Sequence, residues 1–164
     1  MLKLFTTSAL LVSVITMSAC GTPPTRTPYS GPDQVGAIEP SQLVGKWKIS
    51  VLNPVGEENA STVTQSFNGD GTWESTVIPP QEQTEQFGPL QYRGNGAWQV
   101  NGDSVRSSLE NMEETTGNKF GAIMQAVALA FMPKTTTANV YEISESRIVF
   151  VHEETGTATL LERL

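Results

Sequence analysis

Short turn sequences recur along the chain from residue 43 onward, and they separate runs that are rich in β-branched and aromatic residues. Turns of this composition join neighbouring antiparallel strands, so the pattern predicts a meander of sequential hairpins. A meander this long is expected to close into a barrel, because closure removes exposed strand edges. The turn sequences are Asn68-Gly69-Asp70-Gly71, Gly94-Asn95-Gly96, Asn101-Gly102-Asp103, Ser144-Glu145-Ser146 and Glu154-Thr155-Gly156.

Nine segments between and beside these turns have the composition of strands. They are 46–53, 61–68, 72–78, 88–93, 96–101, 104–110, 137–143, 147–153 and 157–163. A polar stretch after Pro79-Pro80, bounded by Gly88-Pro89, is expected to be a long loop. The predicted fold class is therefore mainly β, an antiparallel meander closed into a barrel.

One apolar segment, 118–132, has helical rather than strand periodicity, and Pro133 ends it. The opposite side carries alanines, so the helix is apolar nearly all round and is expected to be buried on more than one side. Two interpretations stay open: a helix packed over one barrel mouth or flank as core, or a lid that touches a bound apolar ligand. In the second, the candidate ligand-binding residues are Phe120, Ile123, Met124, Val127 and Phe131.

The amino-terminal segment 1–19 is expected to be an export signal. Lys3 supplies a positive head, and residues 4–17 are mostly apolar but too short to span a bilayer stably. The residues Met17-Ser18-Ala19-Cys20 resemble the lipobox of bacterial lipoproteins, and Cys20 is the only cysteine. The resemblance implies that Cys20 receives a diacylglyceryl thioether, becomes the mature amino terminus and is acylated there. The alternative is an ordinary secretory signal that is cleaved after Ala19.

Two or three acyl chains hold a protein stably on a membrane, so the membrane is the first predicted partner. Gly21 rather than Asp at the next position implies release to the outer membrane in a two-membrane bacterium. A one-membrane host would place the protein on the outer face of its plasma membrane.

Residues 20–40 are rich in Thr, Pro, Ser and Gly and predict an extended tether ahead of a domain over 41–164. The alternative is an arm packed on the domain, for which Tyr29, Val35 and Ile38 are the available anchors.

The first predicted strand opens with Gly45 and Trp47 two residues apart, and Arg163 lies in the last one. This resembles the Gly-any-Trp signature at the start of lipocalin and lipocalin-like domains. In that family the Trp closes one barrel end and a late Arg packs across its ring, which implies the same roles for Trp47 and Arg163. The family has eight strands, so either two of the nine candidates merge, with 88–93 the weakest, or the barrel is a divergent one of the lipocalin-like type.

Composition and residue types restrict the function classes. The formal charge of −7 disfavours nucleic acid, whose binding needs cationic side chains. His152 is the only histidine, no Gly-any-Ser-any-Gly elbow is present, and one His with a lipidated Cys is too few ligands for zinc. We therefore expect no metal, no cofactor and no enzymatic activity.

Two functions remain. The first is an envelope lipoprotein whose barrel holds a small apolar or amphipathic ligand beneath the helix. The second is a non-catalytic envelope interaction protein, an inhibitor or assembly accessory, with a filled barrel and partner-binding loops. An interior cavity of a few hundred cubic ångströms favours the first, and a filled barrel with an exposed apolar patch favours the second.

Overall fold

The computed structural model describes residues 37–52 and 61–164, and there the chain forms a closed barrel of eight antiparallel strands. Each strand pairs with the next in sequence, and the last pairs back on the first. The strands are β1 Gly45–Val51, β2 Thr62–Phe67, β3 Thr72–Ile78, β4 Tyr92–Asn101, β5 Ser104–Glu114, β6 Thr135–Ile143, β7 Arg147–His152 and β8 Ala158–Arg163. The helices are α1 Pro40–Leu43, α2 Gln81–Phe87 and α3 Lys119–Phe131.

The predicted meander is confirmed, with two differences. Candidates 88–93 and 96–101 merge into the single strand β4, which leaves eight strands. The polar stretch after Pro79-Pro80, expected to be a loop, contains the helix α2.

One end of the barrel is closed by Leu43 and Trp47, which are both fully buried. The Trp47 indole Nε1 donates a hydrogen bond to the Leu43 carbonyl oxygen at 2.8 Å, which fixes the ring beneath α1. Ile38 is also buried in this core, and its backbone N–H donates to the Gly102 carbonyl oxygen at 3.0 Å. The packed core therefore includes a residue that precedes the predicted domain start at 41.

The Gly94-Asn95-Gly96 sequence, expected to be a turn, lies inside β4 next to a β-bulge. Asn95 pairs with Asn111 and Gly96 with Leu109, so Glu110 has no residue opposite it. A Cβ atom on Gly96 would lie 1.8 Å from the Ser108 carbonyl oxygen. Glycine is required there because the neighbouring strand passes so closely.

The expectation that the apolar helix is buried on more than one side is wrong. In α3, Gly121 is buried, whereas most of its large apolar side chains are exposed to solvent. The helix packs against β5 along one narrow stripe. Although α3 is apolar on nearly all sides, the folded domain buries only one of them.

Candidate ligand cavity and its helical cover

The barrel contains a cavity of about 330 Å³ that opens toward the end opposite Trp47. Val51 at the end of β1, Val63 at the start of β2 and Thr159 near the start of β8 place it at that end. The lining residues are Ile49, Val51, Val63, Gln65, Phe67, Trp73, Val105, Ser107, Ser108, Leu109, Met132, Pro133, Lys134, Thr136, Ala138, Phe150, His152, Thr159 and Leu161. Most of them are apolar, so the cavity suits a small ligand with a largely apolar body.

A few polar groups stand among these apolar side chains. His152 Nε2 and Thr159 Oγ1 are 3.1 Å apart, on neighbouring strands. Gln65 and Ser107 line the cavity from β2 and β5. Burial lowers the pKa of His152 below its ordinary value of 6.5, because the imidazolium loses hydration. At neutral pH this imidazole is therefore mostly neutral, and Lys134 is the cationic side chain in the lining.

We expect the stability of the protein to fall as the pH drops below 6.5. The unfolded chain takes up a proton on His152 near that value, whereas the folded chain does so at a lower pH. The unfolded state thus binds more protons in this window, and the stability present above pH 6.5 is lost as the pH falls through the folded pKa. Urea unfolding between about pH 8 and 5 should show a flatter profile for His152→Gln than for the wild type. If the wild type and His152→Gln lose stability equally over this pH range, His152 is not the group responsible.

A second cavity, of about 530 Å³, lies between α2, α3 and the strands β3 to β5. Val77 and Trp73 share a face of β3, and Tyr92 and Trp98 share a face of β4, so the inward face of the sheet continues beneath the helices. The rings of Phe87 and Phe120 stack with their centroids 4.0 Å apart and join the two helices above it. The remaining lining residues are Ser61, Pro79, Gln83, Gln86, Leu90, Met112, Met124, Gln125 and Ala128.

Helix α3 is attached to the barrel by polar contacts on β5. Beyond Ser108, β5 no longer pairs with β6, and its free edge is met by the Gln125 side chain. The backbone N–H of Glu114 donates to Gln125 Oε1, and Gln125 Nε2 donates to the Met112 carbonyl oxygen, both at 2.7 Å. One carboxamide therefore takes the place of a neighbouring strand residue on this edge.

The start of α3 is fixed in the same way. The Asn118 side chain caps the helix by accepting from Phe120 N and Gly121 N, while its Nδ2 donates to the Phe87 carbonyl oxygen at 2.7 Å. Hydrogen bonds to the Glu114 carboxylate, first from the Thr116 hydroxyl and then from nearby backbone N–H groups, hold the pKa of Glu114 below its ordinary value. This carboxylate also accepts from Asn118 N at 3.0 Å, so the connection between β5 and α3 is tightly defined.

The predicted ligand-binding residues of the helix divide into two groups. Phe120 and Met124 line the second cavity. Within the described part of the chain, Ile123, Val127 and Phe131 line neither cavity and are exposed. The barrel cavity is instead lined mainly by strand residues. No local pattern in the sequence shows that space remains between these inward side chains.

The three residues that carry the family resemblance lie together. The Arg163 guanidinium carbon is 4.2 Å from the centre of the Trp47 ring. Arg163 also donates to the carbonyl oxygens of Gln42, Val44 and Glu145. Gly45 has a φ of +141°, and a Cβ atom there would lie 2.5 Å from Arg163 Nη1, so glycine leaves the space that the guanidinium occupies.

The fold resembles that of solved bacterial proteins. A lipocalin-like protein from Bacteroides uniformis superposes with a TM-score of 0.50 at 15% sequence identity, over 75% of this chain and 99% of the other. The chain has a lipocalin-like fold. An uncharacterized protein from Bacteroides eggerthii matches with a TM-score of 0.45 at 14% identity, over 74% of this chain and 99% of that protein.

The similarity to the lipocalin-like protein concerns the fold alone, since the sequence identity is low. No family model matches the sequence, and no curated protein matches it either. In residues 37–52 and 61–164 there is no group of three or more His, Cys, Asp or Glu side chains that could hold a metal ion. Over the same residues, no helix has the length and hydropathy needed to cross a membrane. Cys20 and the predicted signal segment lie outside the described residues.

Proposed function

We propose that this lipocalin-like barrel binds a small, mostly apolar molecule in the cavity at the end opposite Trp47. The observation that supports the proposal is the cavity itself, about 330 Å³ with predominantly aliphatic and aromatic walls. This volume lies at the lower end of the range for small-molecule pockets, so the ligand is small. The proposed role is binding rather than catalysis.

The polar groups on the wall restrict the chemistry of the ligand. His152 and Thr159 offer uncharged donors and acceptors to a polar group of a ligand, Lys134 adds a cationic side chain to the lining, and the apolar lining takes the body of the ligand. The alternative function, an interaction protein with a filled barrel, requires an interior without such a space. The cavity therefore favours ligand binding over that alternative.

We further propose that the protein is a lipid-anchored protein of the bacterial envelope. The support comes from the sequence, in which the apolar segment 4–17 ends at Met17-Ser18-Ala19-Cys20. A tether rich in Pro and Thr then leads to the folded core, which includes Ile38. In a two-membrane bacterium, Gly21 favours the outer membrane as the destination.

Native mass spectrometry of the full chain, purified from its host in mild detergent, tests the binding proposal. We expect a bound small molecule in the wild type and its loss in Ser107→Phe, because the larger side chain fills part of the cavity. Ser66→Phe is the matched control, since Ser66 lies on the outer groove of the barrel, where the same substitution should leave the ligand bound. A wild-type chain that is always empty, or a ligand that survives Ser107→Phe, would contradict the proposal.

Radioactive palmitate labelling tests the anchoring. The wild-type chain should take up the label and fractionate with membranes, whereas Cys20→Ser should be unlabelled because the thioether cannot form. Met17→Leu is the control, since it retains Cys20 and should still be labelled. Continued labelling of Cys20→Ser would refute lipidation at this residue.

A further inference from the structure

Helix α3 turns several of its large apolar side chains away from the barrel. The stripe that packs on the barrel consists of Gly121, Gln125 and Ala128, which are small or polar, while Phe120 and Met124 line the second cavity beside it. On the other side lie Ile123, Val127 and Phe131, here called the outer face. The exposed fraction is 62% for Ile123, 47% for Val127 and 86% for Phe131. An ordinary surface helix instead has a polar outer face and turns its apolar stripe toward the core.

Lysines stand at both ends of the outer face. Residues 120–132 contain no Asp, Glu, Lys or Arg, whereas Lys119 precedes them and Lys134 follows them, both exposed. A helix of 13 residues is about 20 Å long. Such a helix can lie in the plane of a bilayer surface with its apolar face among the acyl chains, while the lysine stems reach back to the headgroups.

The amino-terminal chain brings this face within reach of a membrane. Residues 21–37 connect Cys20 to Ile38 in the core, and this length of chain spans at most about 60 Å when fully extended. A domain held by such a tether has a high effective concentration at the surface of its own membrane, so weak contacts with the bilayer become occupied.

We infer that the outer face of α3 inserts into the acyl region of the bilayer that carries the lipid anchor. The inference rests on the proposed anchoring at Cys20. The membrane is favoured as the occupant because the face is apolar without interruption, is bounded by lysines, and belongs to a domain tied to that surface. Insertion would turn the second cavity, which the same helix covers, toward the lipid.

A fluorescent label on the outer face tests the inference. The full chain with Val127→Cys is purified in its lipidated form, labelled at the new thiol with an environment-sensitive fluorophore, and reconstituted into phosphatidylcholine vesicles that contain spin-labelled acyl chains. Lys48→Cys is the matched control, because Lys48 is exposed on β1, the strand four places round the barrel from β5. We expect the spin-labelled acyl chains to quench the fluorophore at residue 127 and not the fluorophore at residue 48.

A second variant measures how much the outer face contributes to membrane binding. In the soluble Cys20→Ser background, Phe131→Ser should weaken binding to the same vesicles by about tenfold, because one aromatic side chain no longer enters the acyl region. Phe131 is exposed in the folded domain, so the substitution is not expected to unfold it.

The outcomes separate this inference from the anchoring. An anchored chain whose label at residue 127 is not quenched by lipid overturns the inference and leaves the anchoring intact. A different outcome is a dimeric chain, with the label at residue 127 shielded from aqueous iodide but not quenched by the spin-labelled acyl chains. That result would show that a second copy covers the outer face, and it also overturns the inference. If the thiol-reactive fluorophore labels Cys20 of the wild-type chain, that cysteine is a free thiol and the anchoring proposal fails. Vesicle binding by the Cys20→Ser chain that Phe131→Ser does not weaken overturns the inference, whatever the outcome for the anchoring.

Discussion

Trp47→Ala is expected to lower the free energy of unfolding by about 3–5 kcal/mol, because a fully buried aromatic side chain is replaced by a void. The substitution also removes the hydrogen bond from Trp47 Nε1 to the Leu43 carbonyl oxygen and leaves that buried acceptor unpaired. Arg163 loses the ring on which its guanidinium lies. Urea unfolding followed by circular dichroism measures the loss.

Trp47→Phe is the matched control for this variant. It keeps most of the buried volume and the ring under Arg163 but loses the indole donor, so the expected loss is about 1–3 kcal/mol. A change of less than about 0.5 kcal/mol in Trp47→Ala, the size typical of surface substitutions, would show that Trp47 does not close the barrel.

Gly96→Ala is expected to destabilise the barrel by about 3 kcal/mol, the upper end of the range for overpacking. The added methyl group would lie 1.8 Å from the Ser108 carbonyl oxygen, which is backbone and cannot rotate away. Either the β4–β5 pairing opens at the bulge, or β4 moves away from Trp73, whose ring lies 3.0 Å from the same position. The unfolding midpoint in urea measures this loss.

Gly69→Ala provides the comparison, because no heavy atom lies within 4 Å of a Cβ at that position in the turn before β3. Its effect is expected to stay within about 0.5 kcal/mol. Equal losses in the two variants would mean that the close approach at Gly96 does not restrict the side chain there.

The order of the strands could be predicted from the sequence because most turns are local. Asn68-Gly69-Asp70-Gly71 and Asn101-Gly102-Asp103 do connect paired strands, and the chain between such turns alternates between inward and outward positions. Gly94-Asn95-Gly96 has the same composition but serves β-strand packing, since its glycines make room for Trp73 and for the backbone of β5. Composition cannot distinguish these two uses of glycine, because the second depends on a neighbour that is distant in sequence.

The candidate site was less predictable than the fold. The sequence predicts a helix over 118–132, and α3 lies at Lys119–Phe131. The periodicity does not predict that the helix is exposed, since it shows which residues share a face but not what that face contacts. The sequence does not predict α2, because its residues are polar except for Phe87, which stacks on Phe120 only in the folded chain. The barrel cavity depends on the volume left between inward side chains, and no local pattern encodes that volume.

The contacts of Arg163 have a consequence for the kinetics of folding. Arg163 Nη1 donates to the Val44 carbonyl oxygen, 119 residues earlier in the chain, and β8 pairs with β1 next to this contact. The pairing of β1 with β8 cannot form until almost the whole polypeptide is available. Closure of the barrel is therefore a late event, and folding is expected to be slow compared with that of helical proteins of similar size. A newly synthesised chain would therefore still be open while its first strands emerge, the form in which a polypeptide can be threaded across a membrane before it folds.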